Sequence, residues 1–332
     1  MTVIARPRNN YGFLFGSGSD GNVTISANTN LTSTLNGGIV YKNYMNLTIN
    51  SGCTLSVSNK CKGLWIRVRG TLTLNGIIDM TGKGCYNPSP ADLFLGYTDI
   101  KIPAIGASAG QPVLNTNADG NAGANGVDGQ CGGAGAGASA YYDASKKSNG
   151  GAGSAGHCSG GGQGGGGGAA DYLDNWHFVG GTLYNQASAA QPYGAGAGVQ
   201  GSWQQVGQQY PESPDNSSVI VGTGGAGASP SGGILIVMAR EIVGNGSYRS
   251  NGTKGGDGYN SYGWTNLRNP GGGGSGAGSI VVYYQQAQSL NGQVLGGEGG
   301  QNAYGTGHKG GKGGNGSFRT WSLAQLASHT RL

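Results

Sequence analysis

The spacing of glycine constrains this chain more than any other feature. Glycine fills 73 of the 332 positions, and in several stretches it returns every third residue. One register runs Gly120, Gly123, Gly126, Gly129, Gly132, Gly135. A second runs Gly150, Gly153, Gly156, then Ser159, then Gly162, Gly165 and Gly168, and a third Gly307, Gly310, Gly313, Gly316. A period of three belongs to an extended polyproline-II type helix, which makes no hydrogen bonds to itself. α-Helices and strands repeat differently. Glycine in that register leaves one edge of each turn without a Cβ, so another backbone can come close. Every N–H and C=O must then find water or a neighbour. Several runs in one chain can satisfy one another by lying side by side. The expectation is a laterally bonded, polyglycine-II-type bundle, with short loops standing out from its ends. The runs hold no proline and the register is soon broken, which argues against a long collagen-like triple helix.

Leu, Ile, Val and Phe total 57 residues, about 17% of the chain, inside the range of unfolded sequences. The formal net charge is only +5, however, with 10% charged residues, so repulsion is too weak to hold the chain open. The apolar residues are also gathered in short alternating runs: Val23-Thr-Ile25, Leu47-Thr-Ile49, Leu64-Trp-Ile-Arg-Val68 and Leu72-Thr-Leu74. Two denser runs, Ile234-Leu-Ile-Val-Met238 and Ile280-Val-Val-Tyr-Tyr284, read as strands covered on both faces.

Three segments align as an internal repeat: GLWIRVRGTLTLNGIIDMTGKG (63–84), GILIVMAREIVGNGSYRSNGTKGGDG (233–258) and GSIVVYYQQAQSLNGQVLGGEGG (278–300). Each has an apolar strand, a shorter segment, an Asn-Gly pair and a glycine cluster. Asn75-Gly76, Asn245-Gly246 and Asn291-Gly292 are expected to adopt positive φ in tight turns. Units of this kind cannot each bury a face alone, so they should stack. The fold class expected is mainly β, with stacked short β-units (β-solenoid-like or a layered sheet), the glycine bundle, and almost no α-helix.

The chain divides accordingly. Residues 1–22 form an irregular N-terminal anchor and 23–85 a first β-unit. Residues 86–231 are a glycine-rich, aromatic-bearing insertion between the first and second repeats, and 232–320 hold two further repeats. Residues 321–332, with Leu323, Leu326 and Ala327 at helical spacing, form a docking tail. A connection as long as the insertion, without evident periodic pattern, is either functional or disordered.

Fourteen acidic residues are a thin supply for catalysis. Asp171 with Asp174, or Glu212 with Asp215, could be drawn as a carboxylate pair, but aspartate in Gly/Asn-rich loops caps turns. His157-Cys158 with Cys131 or Cys85 matches no metal-ligand spacing. No Gly-x-Ser-x-Gly elbow lies at an expected strand-to-helix turn, and no Gly-Lys-Ser/Thr phosphate loop occurs. The expectation is therefore no enzyme, no metal and no cofactor. Five irregularly spaced cysteines read as buried thiols rather than a disulfide framework. The basic residues are too sparse for nucleic acid. The opening MTVIARPRNN lacks an apolar signal core, and no stretch approaches membrane-spanning length. The chain is thus expected to be intracellular, or to leave its cell by lysis. Tyrosine and tryptophan beside Asn, Gln and Asp offer rigid area with a polar tip, suited to sugar rings and flat protein surfaces. Tyr141, Tyr142, Tyr172, Trp176 and Trp203 are the receptor-binding candidates.

GSGSDGNVTISANTNL (16–31), MNLTINSGCTLSV (45–57) and RGTLTLNGIIDMTGKG (69–84) resemble glycine-rich virion proteins of tailed phages. Those minor tail, tail-fibre or head-fibre proteins open on G-D-G-S-D-G-x-V-T-I-S, followed by NLTINSG, a GTLT-NG strand and a GGNGG cluster. Here a serine replaces the first aspartate, in Gly16-Ser-Gly-Ser-Asp-Gly21. The insertion is similar in style to distal adhesins of phage long tail fibres, where packed polyglycine-II helices display receptor-contacting loops. The resemblance implies a non-enzymatic virion protein assembled in the host cytoplasm and released by lysis. It implies other virion proteins and a host polysaccharide or protein receptor as partners, with a homotrimer as the phage-fibre pattern. The first reading is a tail-fibre or tail-tip adhesin. The alternatives are a capsid decoration or head-fibre protein and, third, a polysaccharide depolymerase.

Overall fold

A computed structural model describes residues 14–85, 125–129, 133, 231–257, 271–301 and 309–329. It also gives the backbone of a few short strands elsewhere. The protein is mainly β, with parallel sheets and one short helix.

The first repeat and its lead-in supply β1 (Asn22–Ile25), β2 (Thr29–Leu31), β3 (Gly37–Tyr44), β4 (Asn46–Ile49), β5 (Thr54–Val57), β6 (Cys61–Leu74) and β7 (Ile77–Asp79). The insertion holds β8 (Leu93–Phe94), β9 (Lys101–Ile102), β10 (Ala140–Asp143), β11 (Lys146–Ser148), β12 (Trp176–Val179) and β13 (Thr182–Asn185). Three antiparallel pairs are formed there: β8 with β9, β10 with β11, and β12 with β13. The later repeats give β14 (Ile234–Val243), β15 (Ser247–Arg249), β16 (Ser279–Ala287), β17 (Gly292–Gln293), β18 (Ser317–Ser322) and the helix α1 (Leu323–His329).

One sheet orders its strands β1-β4-β6-β14-β16-β18, with β3 also beside β6. The other orders them β17-β15-β7-β5-β2. Every pairing in both is parallel. The chain passes from the first sheet to the second and back, and each passage adds a strand to each. This register aligns the three repeats: Leu64, Leu235, Ile280 and Phe318 lie in one row, and Ile66, Val237, Val282 and Thr320 in the next but one.

Period-two alternation decides what each row buries. Leu64, Ile66, Val68, Leu235, Val237, Ala239, Ile280 and Val282 face the core shared with Leu55, Ile78 and Tyr248 of the second sheet. Their alternates Ile236, Met238, Val281 and Tyr283 face outward, yet they are buried beneath Leu14, Phe15 and Leu326. The two ends of the described chain thus cover one sheet face, which explains runs without polar alternation. At about 1.5–3 kcal/mol per fully buried large aliphatic side chain, these rows are the main attractive contribution of the β-body. The long strands change register once: Val68 pairs Ala239 and Thr71 pairs Glu241, so β6 carries one more residue than β14 across the bulge.

The Asn-Gly pairs stand where the chain turns between sheets, but not with the expected positive φ. Among the described residues the non-glycine residue with positive φ is Asn36. The glycines are needed for closeness. A Cβ on Gly246 would fall on the carbonyl of Gly76, and one on Gly292 on the Phe318 ring. That ring stacks on Tyr248, with centroids 6.3 Å apart.

Candidate functional site: the glycine-rich segments

Residues 250–257 leave β15 and 271–278 lead into β16. Residues 294–301 leave β17 and 309–316 lead into β18. The two outgoing segments bond in parallel: Gly252 and Gly255 donate their N–H to the carbonyls of Leu295 and Glu298, at 2.9 and 2.8 Å. The two returning segments do the same, Gly274 and Ala277 donating to Gly311 and Gly314 at 2.8 and 3.0 Å. Outgoing and returning segments bond antiparallel. Gly310, Gly313 and Gly316 donate to Gly300, Gly297 and Val294, while Gly297 and Gly300 donate to Ser275 and Gly272. Donors and acceptors both step by three, the spacing a backbone with three residues per turn presents to one neighbour.

Glycine is required here for space. Gly252, Gly255, Gly274, Gly297 and Gly300 have no φ in the left-handed region, but each lies against a neighbouring main chain. A Cβ on Gly296, Gly299, Gly310, Gly313 or Gly316 would fall on the carbonyl of Gly313, Gly310, Gly272, Ser275 or Gly278 respectively.

A second device closes the lateral contacts. In Asn251-Gly252 the glycine donates to the Leu295 carbonyl while Leu295 donates back to Asn251 Oδ1, at 2.8 Å. The pattern recurs with Asn125-Gly126 on Lys312 (2.9 Å back to Oδ1) and Asp128-Gly129 on Asn315 (2.6 Å back to Oδ1). The side-chain oxygen stands in for a main-chain carbonyl, and the Asx-Gly dipeptide clamps a parallel neighbour with two hydrogen bonds. Asp257 takes the Gln301 N–H likewise, at 2.7 Å. Partial burial would raise the Asp257 carboxyl's pKa. The Gln301 amide and the Lys254 ammonium, 2.6 Å away, outweigh that and hold it below its ordinary value. Sequence reading took Asn-Gly for a turn signal; the signal for a clamp is its placement beside a period-three glycine run, as in Asn125-Gly-Val-Asp128-Gly129.

The Asn125 and Asp128 clamps join the insertion to the last repeat, 187 residues away in sequence. Of the glycines proposed for packing, Gly126 and Gly129 lie beside Lys312 and Asn315, and Gly310, Gly313 and Gly316 beside residues 294–300. Gly120, Gly123, Gly132, Gly135 and Gly307 fall outside the described residues. Tyr141 and Tyr142 sit on β10 and Trp176 starts β12, known by backbone alone; Tyr172 and Trp203 fall outside the described residues. So do Asp171, Asp174, Glu212, Asp215 and His157. Cys53, Cys61 and Cys85 are buried, and burial raises the Cys61 pKa; Cys131 and Cys158 lie outside the described residues. Among the described residues no group of three metal-ligating side chains occurs, and no helix is long and apolar enough to cross a membrane.

No known protein family, curated protein or solved structure matches this chain.

Proposed function

We propose that the protein is a structural component of a phage particle, a tail-fibre or tail-tip adhesin. In this reading the paired parallel sheets are a β-solenoid and the glycine segments a polyglycine-II-type bundle projecting from it. The observation that carries the reading is where the glycine segments end. Gly272 donates to Gly256, Gly310 to Gly300 and Gln301 to Asp257 Oδ1, so residues 256–257, 272, 300–301 and 310 meet at one end of the bundle. Chain continuity makes the connections 258–270 and 302–308 depart from that same end. These connections hold Tyr259, Tyr262, Trp264 and Tyr304. A rigid base that gathers loop ends is what surface recognition needs, because loops held close lose less entropy on binding. The insertion, clamped to the same bundle, contributes Tyr141, Tyr142, Tyr172, Trp176 and Trp203 as further candidates. The protein works without catalysis or cofactor, is mounted on other virion proteins, and binds a host-surface polysaccharide or protein.

The test is adsorption of phage whose copy of this protein has residues 134–230 and the connections 258–270 and 302–308 each replaced by a short Gly-Ser linker, leaving Asn125, Asp128 and Gly133 in place. Particles should assemble and fail to adsorb. Assembly with parental adsorption would contradict the adhesin reading and favour a capsid decoration or head-fibre protein. Release of oligosaccharides from host polymer by the purified protein would favour a depolymerase.

A further inference from the structure

Asn-Gly is the dipeptide most prone to spontaneous deamidation, because the unhindered glycine nitrogen can attack the asparagine side chain. Seven such pairs fall within the described residues, and in six the glycine N–H is already engaged. Gly37 donates to Thr34, Gly76 to Ile49, Gly126 to Lys312, Gly246 to Leu74, Gly252 to Leu295 and Gly316 to Val294, all between 2.7 and 3.1 Å.

Asn291-Gly292 differs because of the parallel ladder it joins. Tyr248 donates to the Asn291 carbonyl and Ser250 to the Gln293 carbonyl, with Tyr248 opposite Gly292. That alternation assigns the returning bond to the Gln293 N–H and turns the Gly292 N–H away from β15. β17 is the last strand of its sheet, so the Gly292 N–H faces the open edge, and among the described residues it has no acceptor. Asn291 and Gly292 are both exposed. The Asn291 amide nitrogen leans on Ser289 Oγ at 3.1 Å and Gly246 O at 3.4 Å, contacts that leave the side-chain carbonyl carbon open.

We propose that Asn291 is a site of spontaneous modification, the one among the seven described Asn-Gly pairs at which the folded protein deamidates. The Gly292 nitrogen, losing its proton to solvent base, forms a bond to Asn291 Cγ. The Cγ–Nδ2 bond breaks and ammonia leaves. Water then opens the resulting succinimide to aspartate or isoaspartate. Either product puts a new carboxylate at the edge of the second sheet, and isoaspartate lengthens the main chain beside the Tyr248–Phe318 stack.

The test is peptide mass mapping of the native protein during incubation at pH 8.5 and 37 °C, with a parallel sample in denaturant. In the native protein the peptide carrying Asn291 should gain the mass of deamidation at least about tenfold faster than the other six, since each of those must first break a main-chain hydrogen bond. In denaturant all seven should convert at similar rates, and Asn291→Gln should remove the native signal. Native conversion at other pairs as fast as at Asn291 would overturn the proposal. So would a lead for Asn291 that persists in denaturant, which would assign the effect to local sequence.

Discussion

A glycine can be obligatory because of its own φ or because of what stands next to it, and this protein separates the two. Gly313 has ordinary φ, but a Cβ there would meet the Ser275 carbonyl. Gly313→Ala should therefore cost about 1–3 kcal/mol, as overpacking does. Gly38 has ordinary φ and open space around it, so Gly38→Ala should be neutral or stabilise by up to about 1 kcal/mol. Denaturant midpoints of the two variants against the parent check this contrast; equal midpoints would contradict it. Tyr248 is a second case: its hydroxyl is buried with no hydrogen-bond partner, and burial pushes its pKa well up. Tyr248→Phe removes an unsatisfied group and keeps the stack on Phe318, so thermal unfolding should shift upward. Asp257 adds a pH dependence. Its carboxyl is more acidic folded than unfolded, so its contribution is fully present above the unfolded value and is lost as pH falls through the folded value. The acid limb of the melting temperature against pH should be shallower in Asp257→Asn, by a small amount because the side chain is half exposed.

At the scale of elements, the strands were legible where burial is one-sided or continuous. Leu64-Trp-Ile-Arg-Val68 alternates because one face meets the core, and Ile234-Leu-Ile-Val-Met238 does not because its outer face lies under Leu14, Phe15 and Leu326. β3 escaped the reading, since Gly37-Gly38-Ile-Val-Tyr-Lys-Asn-Tyr44 carries two glycines and polar residues, and its partner β6 supplies the core contact. The Asn-Gly pairs were placed correctly between elements but given the wrong physical reason. The clamps were missed because their partners are 44 and 187 residues distant, beyond any local pattern. The candidate site was legible as glycine spacing and not as a set of ligand-contacting side chains. α1 is too short to persist alone, so its packing decides whether it forms. Leu326 is 4% exposed against Ile236, Met238, Val281 and Tyr283. Leu326→Ala should cost about 2–3 kcal/mol and raise binding of an apolar dye to the uncovered sheet face. An unchanged melting temperature and dye signal would show that the helix does not cover that face.

For the whole molecule, the account rests on segments that carry little apolar surface being held as firmly as the sheets. Ordinary cores do this with side chains. Here every third N–H is given to a neighbouring main chain, and the missing Cβ atoms allow the approach. Residue-resolved amide hydrogen exchange of the intact protein reads this directly. Gly297, Gly300, Gly310 and Gly313 should be protected to a degree comparable with Val237 and Val282 in the sheet. Exchange at those four glycines as fast as in an unstructured peptide, with the sheet amides still protected, would contradict the account.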